Sequence, residues 1–228
     1  MGKFSLMIMS AGFGSRMLDL TNNKPKPLLE VNNKPLIEYS IKLLNEIGIK
    51  DISVNTHYLS DQIKNYIHQN YPSIEIFEEK ALLDTGGALV NAKKFLMGDY
   101  FLVLNSDTIW QRNYIKSITK LIDTTIIKNF LGGLLLCRKD KSFDKTLQAD
   151  FDIDGDFLIQ EKKHIYTGFQ ILHSSLLENR ETIPFSVREI WDQLIEEKKL
   201  TAEVFEEEFY HTTNFEIYNQ LQDQKIIF

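Results

Sequence analysis

The sequence predicts an α/β fold, a mostly parallel sheet with helices on both faces, and three observations predict it. From the start to about residue 107, apolar runs of strand length alternate with segments of helical period. Beyond that point the order changes, and strand-like runs follow one another with few helical residues between them, which adds a mixed, partly antiparallel region. The 228 residues, 43% hydrophobic and 25% charged, suit a globular chain that buries one substantial core.

The elements follow in order. Ser5 to Met9 reads as a buried strand. Its run, "FSLMIMSAG", is too short for a signal peptide, has only Lys3 before it and leads into a glycine turn. Pro35 to Ile47 places Leu36, Ile37, Ser40, Ile41, Leu44 and Ile47 on one helical face, with Gly48 as the stop. Asp51 to Asn55 is the next strand, Ser60 caps a helix carrying Ile63, Tyr66 and Ile67, and Ile74 to Phe77 is a third strand. A helix over Gly86 to Phe95 and a strand over Tyr100 to Leu104 complete the alternation. After a helix around Tyr114 to Ile122 come "FLGGLLLCR", "LQADFDID", "GDFLIQEKK" and "IYTGFQILH", with Asp154-Gly155 as a hairpin turn. Phe185 to Lys198 is amphipathic through Val187, Ile190, Trp191, Leu194 and Ile195, "EVFEEEF" reads as a solvated acidic edge, and the chain is helical again from Asn214. No linker, repeat or low-complexity stretch divides it, so one domain over residues 1–228 is expected, with halves at about 1–110 and 111–228.

Composition excludes several functions. A net charge of -6 argues against a nucleic-acid binder, which needs a basic face. The single cysteine, Cys137, excludes a disulfide framework and a CxxC site and points to a reducing compartment; it sits in an apolar run as core. No apolar stretch approaches the roughly 20 residues of a membrane span, and a cytoplasmic protein is expected. His57, His68, His164 and His173 show no metal-ligand spacing.

The stretch "MSAGFGSRM", Met9 to Met17, sets glycines and an arginine at the end of the first strand. It does not fit GxxxxGK[ST], and Met17 stands where GxGxxG requires a third glycine. Ser15 lacks the G-x-S-x-G elbow of a hydrolase. The remaining chemistry is direct: Gly12 and Gly14 let backbone N–H groups approach phosphate oxygens, and Arg16 adds a cationic fork. Lys26, between Pro25 and Pro27, is expected in extended backbone and suits a fixed phosphate. Asp107 follows a strand at its carboxyl end, where open α/β sheets bind ligands.

Together, "SAGFGSRM", "LT" and "KPKPLLEVNNKPLIEY" resemble the signature of the sugar-1-phosphate nucleotidyltransferases, and the likeness continues through "DTGGAL", "VLNSDTIW", "QEKK" and "YTGFQIL". Within that family the chain is most similar to the short N-acetylmuramate 1-phosphate uridylyltransferase type, and it lacks the hexapeptide repeats of the bifunctional relatives. The resemblance implies a three-layer α/β/α, Rossmann-like nucleotide-binding half joined to a sugar-binding second half. It implies that a sugar-1-phosphate oxygen attacks the α-phosphorus of a nucleoside triphosphate, UTP being favoured, and that pyrophosphate leaves. It also implies roles: Ala11, Gly12, Gly14, Ser15, Arg16, Thr85 and Gly86 at the nucleotide, Arg16, Lys26 and Asp107 in catalysis, and Asn105, Glu161, Lys162 and Gly168 at the sugar. Mg²⁺ on Asp107 is the implied cofactor, with Mn²⁺ as the alternative. NTP and sugar 1-phosphate are the implied partners, and monomer and homodimer both stay open.

Three positions depart from the family pattern. Asp19 replaces a proline, Lys163 replaces the proline of EKP, and His211 stands where the second metal-binding aspartate belongs. Imidazole suits Mn²⁺, Co²⁺ or Zn²⁺ better than Mg²⁺. His211 therefore leaves three readings: altered metal preference, Mg²⁺ held by Asp107 and the substrates, which is favoured, or lost activity. The alternatives to the uridylyl reading are a guanylyltransferase for mannose or heptose 1-phosphate and, in another class, an inactive nucleotide-sugar-binding regulatory subunit. A glycosyltransferase with a D-x-D metal motif is disfavoured, because Asp152 and Asp154 fall in a hairpin context.

Overall fold

A computed structural model of the chain describes residues 4–226. β1 (Ser5–Met9) leads through a glycine loop into a 3-10 segment, Ser15–Thr21, and a single 3-10 turn, Lys26–Leu28. Two short strands, β2 (Glu30–Val31) and β3 (Lys34–Pro35), form a small separate hairpin. Then come α1 (Leu36–Ile47), β4 (Asp51–Thr56), α2 (Ser60–Asn70), β5 (Glu75–Glu78), α3 (Asp84–Asn91) and β6 (Tyr100–Asn105). The second half contains α4 (Tyr114–Ile127), β7 (Gly132–Arg138), β8 (Phe151–Asp154), β9 (Phe157–His173), α5 (Arg188–Glu196), β10 (Leu200–Phe205) and α6 (Phe215–Gln222).

The large sheet has the order β10-β7-β9-β6-β1-β4-β5, with β8 added on β9. β1 pairs in parallel with both β4 and β6, and β10 pairs in parallel with β7. β9 pairs antiparallel with β6, β7 and β8, so among the described strands of this sheet it alone runs against the rest. Strand side chains divide between two cores. Leu6, Ile8, Leu102 and Leu104 face one in which α1, α2, α4 and α6 bury their apolar stripes. Met7, Phe101 and Val103 face the other, filled by α3 and α5. That double burial explains why these strands read as continuous apolar runs.

The chain passes from β1 outward to β4 and β5 and then returns to the other side of β1 as β6. Between the carboxyl ends of β1 and β6 the strand order therefore reverses, and a crevice opens there, where doubly wound sheets hold ligands. Ser106 pins the two ends together, its Oγ donating to the Met9 carbonyl at 2.7 Å. Below it Trp110 is fully buried, donates through Nε1 to the Asn105 carbonyl at 2.9 Å, and stands edge-on to Tyr114 and Phe169.

Several elements differ from the sequence reading. Ser60 opens α2 but does not cap it, because its hydroxyl is bonded to Thr56 and Glu78. Lys26 lies in a 3-10 turn closed by the Pro25 and Lys26 carbonyls instead of in extended backbone. The hairpin loop is Gly155–Asp156, one residue later than expected, because Asp154 pairs with Phe157 and Gly155 supplies the positive φ of its first position. α3 begins two residues earlier and stops at Asn91, since the chain beyond turns back through bonds to Ala88, Val90 and Ala92. "GDFLIQEKK" and "IYTGFQILH" fuse into one strand, β9, from which residues 160–163 bulge out between Ile159 and His164. The run from Leu200 is an edge strand with Leu200, Thr201 and Phe205 buried, and only Glu206 to Glu208 form the solvated acidic tip. Cys137 is core, and burial pushes its thiol up to about 12.

Trp110→Ala should cost about 3–5 kcal/mol, read as a lower urea midpoint at unchanged slope. Trp110→Phe, which keeps most of the volume and loses the donor to Asn105, should cost less than half of that.

Candidate active site

The crevice at the switch point holds a cavity of 280 Å³. The loop after β1 forms one wall. Gly14 has φ +66, and a Cβ there would stand 2.9 Å from the Lys26 Cβ and 3.0 Å from the Thr21 Cγ2, so a side chain would push Lys26 out of place. Gly12 is different: a Cβ would meet no protein atom within 4 Å, and the space beside it is open cavity. Among the described residues no protein acceptor takes the N–H groups of Gly12 through Arg16, and Arg16 forms no ion pair. An exposed arginine and a run of free N–H groups on one concave wall make an anion cradle. Ala11, Gly12, Gly14 and Arg16 line it; Ser15 is exposed and does not.

Asp107 forms the opposite wall. Its Oδ2 accepts from the Lys26 Nζ at 2.6 Å, and its Oδ1 lies 3.1 Å from the His211 Nε2. An ionised carboxylate only accepts, so Nε2 carries the proton in this contact. His211 is brought here by the segment before α6: Thr108 and His211 form a β-bridge, and the Thr212 N–H and hydroxyl both donate to the Asp107 carbonyl at 2.9 Å. Burial pushes the Asp107 carboxyl up, yet the charges and hydrogen bonds of Lys26 and His211 outweigh it and hold the group well below the usual carboxylate range.

The donor set bears on a metal. Among the described residues no three His, Cys, Asp or Glu groups converge closely enough to hold an ion. One carboxylate beside a phosphate cradle matches Mg²⁺ ligated by one side chain and by substrate phosphates, and does not match an all-protein cage. His211, the second expected ligand, is placed as a hydrogen-bond partner of Asp107.

The floor holds polar residues that sequence reasoning missed. Asn55, at the end of β4, accepts from the Ser10 N–H at 2.6 Å and donates to Glu79 Oε1 at 2.8 Å; Glu79 Oε2 accepts from the Leu83 N–H. Burial pushes the Glu79 carboxyl above its ordinary value despite those two donors. The one available signal was a polar residue closing an otherwise apolar strand, "ISVNT".

The "DTGG" turn serves mostly structure. Thr85 lines the cavity, with its hydroxyl accepting from the Val187 N–H at 2.9 Å. Gly86, expected at the nucleotide, lies outside the cavity lining: its N–H donates to the Phe185 carbonyl, and a Cβ would strike the Phe185 ring at 2.2 Å. Of the expected sugar residues, Asn105 lines the cavity, and Gly168, at φ +97, packs its Cα against the Asn105 side chain. Glu161 and Lys162 are exposed in the β9 bulge and do not line this cavity.

A doubly wound sheet with an anion cradle at its switch point, faced by a lysine-paired aspartate, is the framework of a nucleotide-handling transferase. Residues 5–132 match the family model described as nucleotidyl transferase, and the chain belongs to that family. It is 26% identical to the N-acetylmuramate alpha-1-phosphate uridylyltransferase of Caulobacter vibrioides over 82% of this chain and 83% of that one. It is 25% identical to the D-glycero-alpha-D-manno-heptose 1-phosphate guanylyltransferase of Campylobacter jejuni over 90% and 85%. In fold it is similar to HddC from Yersinia pseudotuberculosis complexed with GMP-PN, with a TM-score of 0.74 at 23% identity over 96% and 98% of the two chains. No helix among the described residues is long and apolar enough to cross a membrane.

Gly12→Ala should leave the unfolding free energy within about 0.5 kcal/mol of the parent while weakening nucleoside triphosphate binding about tenfold in calorimetry. Gly14→Ala should lower the midpoint itself.

Proposed function

We propose that this protein transfers a nucleoside monophosphate, UMP from UTP, to a sugar 1-phosphate, N-acetylmuramate 1-phosphate or a similar sugar, and releases pyrophosphate. The observation that carries the reading is the convergence of the free N–H groups, Arg16, Lys26 and Asp107 on one cavity. The names of the two full-length relatives support the reaction class.

A sugar-phosphate oxygen forms the new bond to the α-phosphorus, and the bond from that phosphorus to the bridging oxygen of the leaving pyrophosphate breaks. The chain's task is alignment and charge neutralisation. The N–H groups of Gly12, Gly14 and Arg16 and the Arg16 guanidinium hold the triphosphate, and Lys26 opposes the charge that grows on the leaving group. Mg²⁺, when bound, would neutralise phosphate charge, with Asp107 as its protein ligand. His211 keeps Asp107 oriented through its Nε2 contact. Asp107 would hold such an ion while still paired with Lys26 and His211, because its two oxygens offer more acceptor sites than those two contacts use.

GTP in place of UTP is a second reading favoured by one observation: Glu79 is an acceptor on the nucleotide cavity, and guanine presents two adjacent N–H donors on one edge. A panel of NTPs against sugar 1-phosphates, read by pyrophosphate release, decides between the two. Asp107→Asn should reduce that release at least about hundredfold, with triphosphate binding retained. Full turnover in Asp107→Asn would overturn the mechanism. Triphosphate binding with no product from any pair would favour a regulatory subunit.

A further inference from the structure

The anion cradle cannot hold its own shape. The N–H groups of Gly12, Gly14 and Arg16 take no protein acceptor, so like dipoles gather on one concave wall, and the two glycines leave the chain there wide conformational freedom. The far half of the loop is braced from within. The Met17 N–H donates to the Gly14 carbonyl at 2.8 Å, and the Thr21 hydroxyl reaches the Gly14 and Leu18 carbonyls at 3.2 and 3.1 Å. The near half is not: among the described residues, neither Gly12 nor Phe13 takes part in a backbone–backbone hydrogen bond.

What holds the near half is a side chain. Gly12 and Gly14 line the cavity, and Phe13 between them does not. Its ring stands edge-on to the His57 ring, 5.7 Å between centres, and tilted against the Tyr58 ring at 5.4 Å, both within the range of attractive aromatic pairs. The Phe13 side chain stays 49% exposed, so burial alone does not account for its place. The shelf beneath it, between β4 and α2, is fixed on three sides. The Tyr58 hydroxyl donates to the Thr21 carbonyl at 2.7 Å, at the far end of the same loop, and the Tyr58 N–H meets the Ala11 carbonyl, at its start, in a long contact of 3.5 Å. His57 Nδ1 donates to the Glu79 carbonyl at 2.8 Å, which ties the shelf to the cavity floor; a carbonyl only accepts, so Nδ1 carries the proton there.

We propose that Phe13 is a positioning residue: by resting on His57 and Tyr58 it keeps the phosphate cradle formed before a triphosphate arrives. Binding then does not bear the cost of ordering the loop. The proposal rests on the reading above that the cradle holds a triphosphate. Phe13 touches no substrate in this role and acts through Gly12 and Gly14, its neighbours in the chain.

The test uses the full chain and two probes, the nucleoside triphosphate that the parent binds best and inorganic tripolyphosphate, which carries the phosphate chain with no base or sugar. Calorimetry reads affinity, and ¹⁵N relaxation reads the order of the Gly12 and Gly14 N–H groups. In the free parent both glycines should show order parameters of about 0.85, as rigid backbone does, and Phe13→Ala should lower them toward about 0.6. The same variant should keep its urea midpoint and weaken both probes by one common factor of about five to ten. Phe13→Tyr, which keeps the ring, should bind as the parent does; Tyr58→Phe, which loses only the grip on Thr21, should weaken both probes about twofold. Glycines already mobile in the free parent, or an unchanged tripolyphosphate affinity in Phe13→Ala, would overturn the proposal. So would a loss confined to the nucleoside triphosphate, which would place the ring against the nucleoside and leave the transferase reading standing. A parent that binds the nucleoside triphosphate but no tripolyphosphate would overturn it as well, because the cradle would then form only around the nucleoside. A parent that binds neither probe would overturn the cradle reading itself.

Discussion

One carboxylate, Asp107, organises the crevice. It draws together three segments far apart in sequence: the 3-10 turn of Lys26, the end of β6, and the strand-like approach to α6 that carries His211. The Lys26 and Asp107 side chains are only 10% and 21% exposed, and their pairing is the condition under which either charge tolerates that burial. Removing one partner of such a pair strands the other, which typically costs about 3–5 kcal/mol. Gly14 belongs to the same arrangement, because Lys26 reaches Asp107 only by packing across a residue with no side chain.

A second polar line supports the floor. Ser10, Asn55, Glu79 and Leu83 are joined by hydrogen bonds that run from the end of β1 through β4 to the approach of α3. With Ser106 closing the gap from β6 to β1, the ends of three adjacent strands and one helix approach are tied at the level of the cavity. Rigidity of this kind is what positioning chemistry needs, since the transferred group does little covalent work with the protein.

Much of this was legible in the sequence, and the reasons are physical. The first half is a succession of local βα units, and both the apolar runs of β1, β4 and β6 and the periodicity of α1 are read within windows of ten or so residues. Arg16, Lys26 and Asp107, which line one cavity, are marked locally in the sequence by glycines, flanking prolines and a strand end. What was missed depends on distant contact. Nothing near Glu79 says that its carboxylate will be buried against Asn55. The fusion of two runs into β9 follows from its place between β6 and β7, and Gly86 looked like a ligand-facing residue because Phe185, which fills its space, lies about a hundred residues on. His211 was recognised as a departure, but its partner was visible only in the fold.

The first turn of α3, at Thr85 and Gly86, is clamped to the segment before α5 through Val187 and Phe185, and Thr85 lines both the cavity at the switch point and a smaller hollow beside it, under the start of α5. A partition used on both sides cannot be recut for one occupant alone. Substitutions at Phe185 or Val187 displace a residue that lines the cavity, and those at Thr85 or Gly86 are felt on the far side of the partition. Divergence in this framework is therefore expected to reshape both sides of the partition together, as linked traits, more readily than either one by itself.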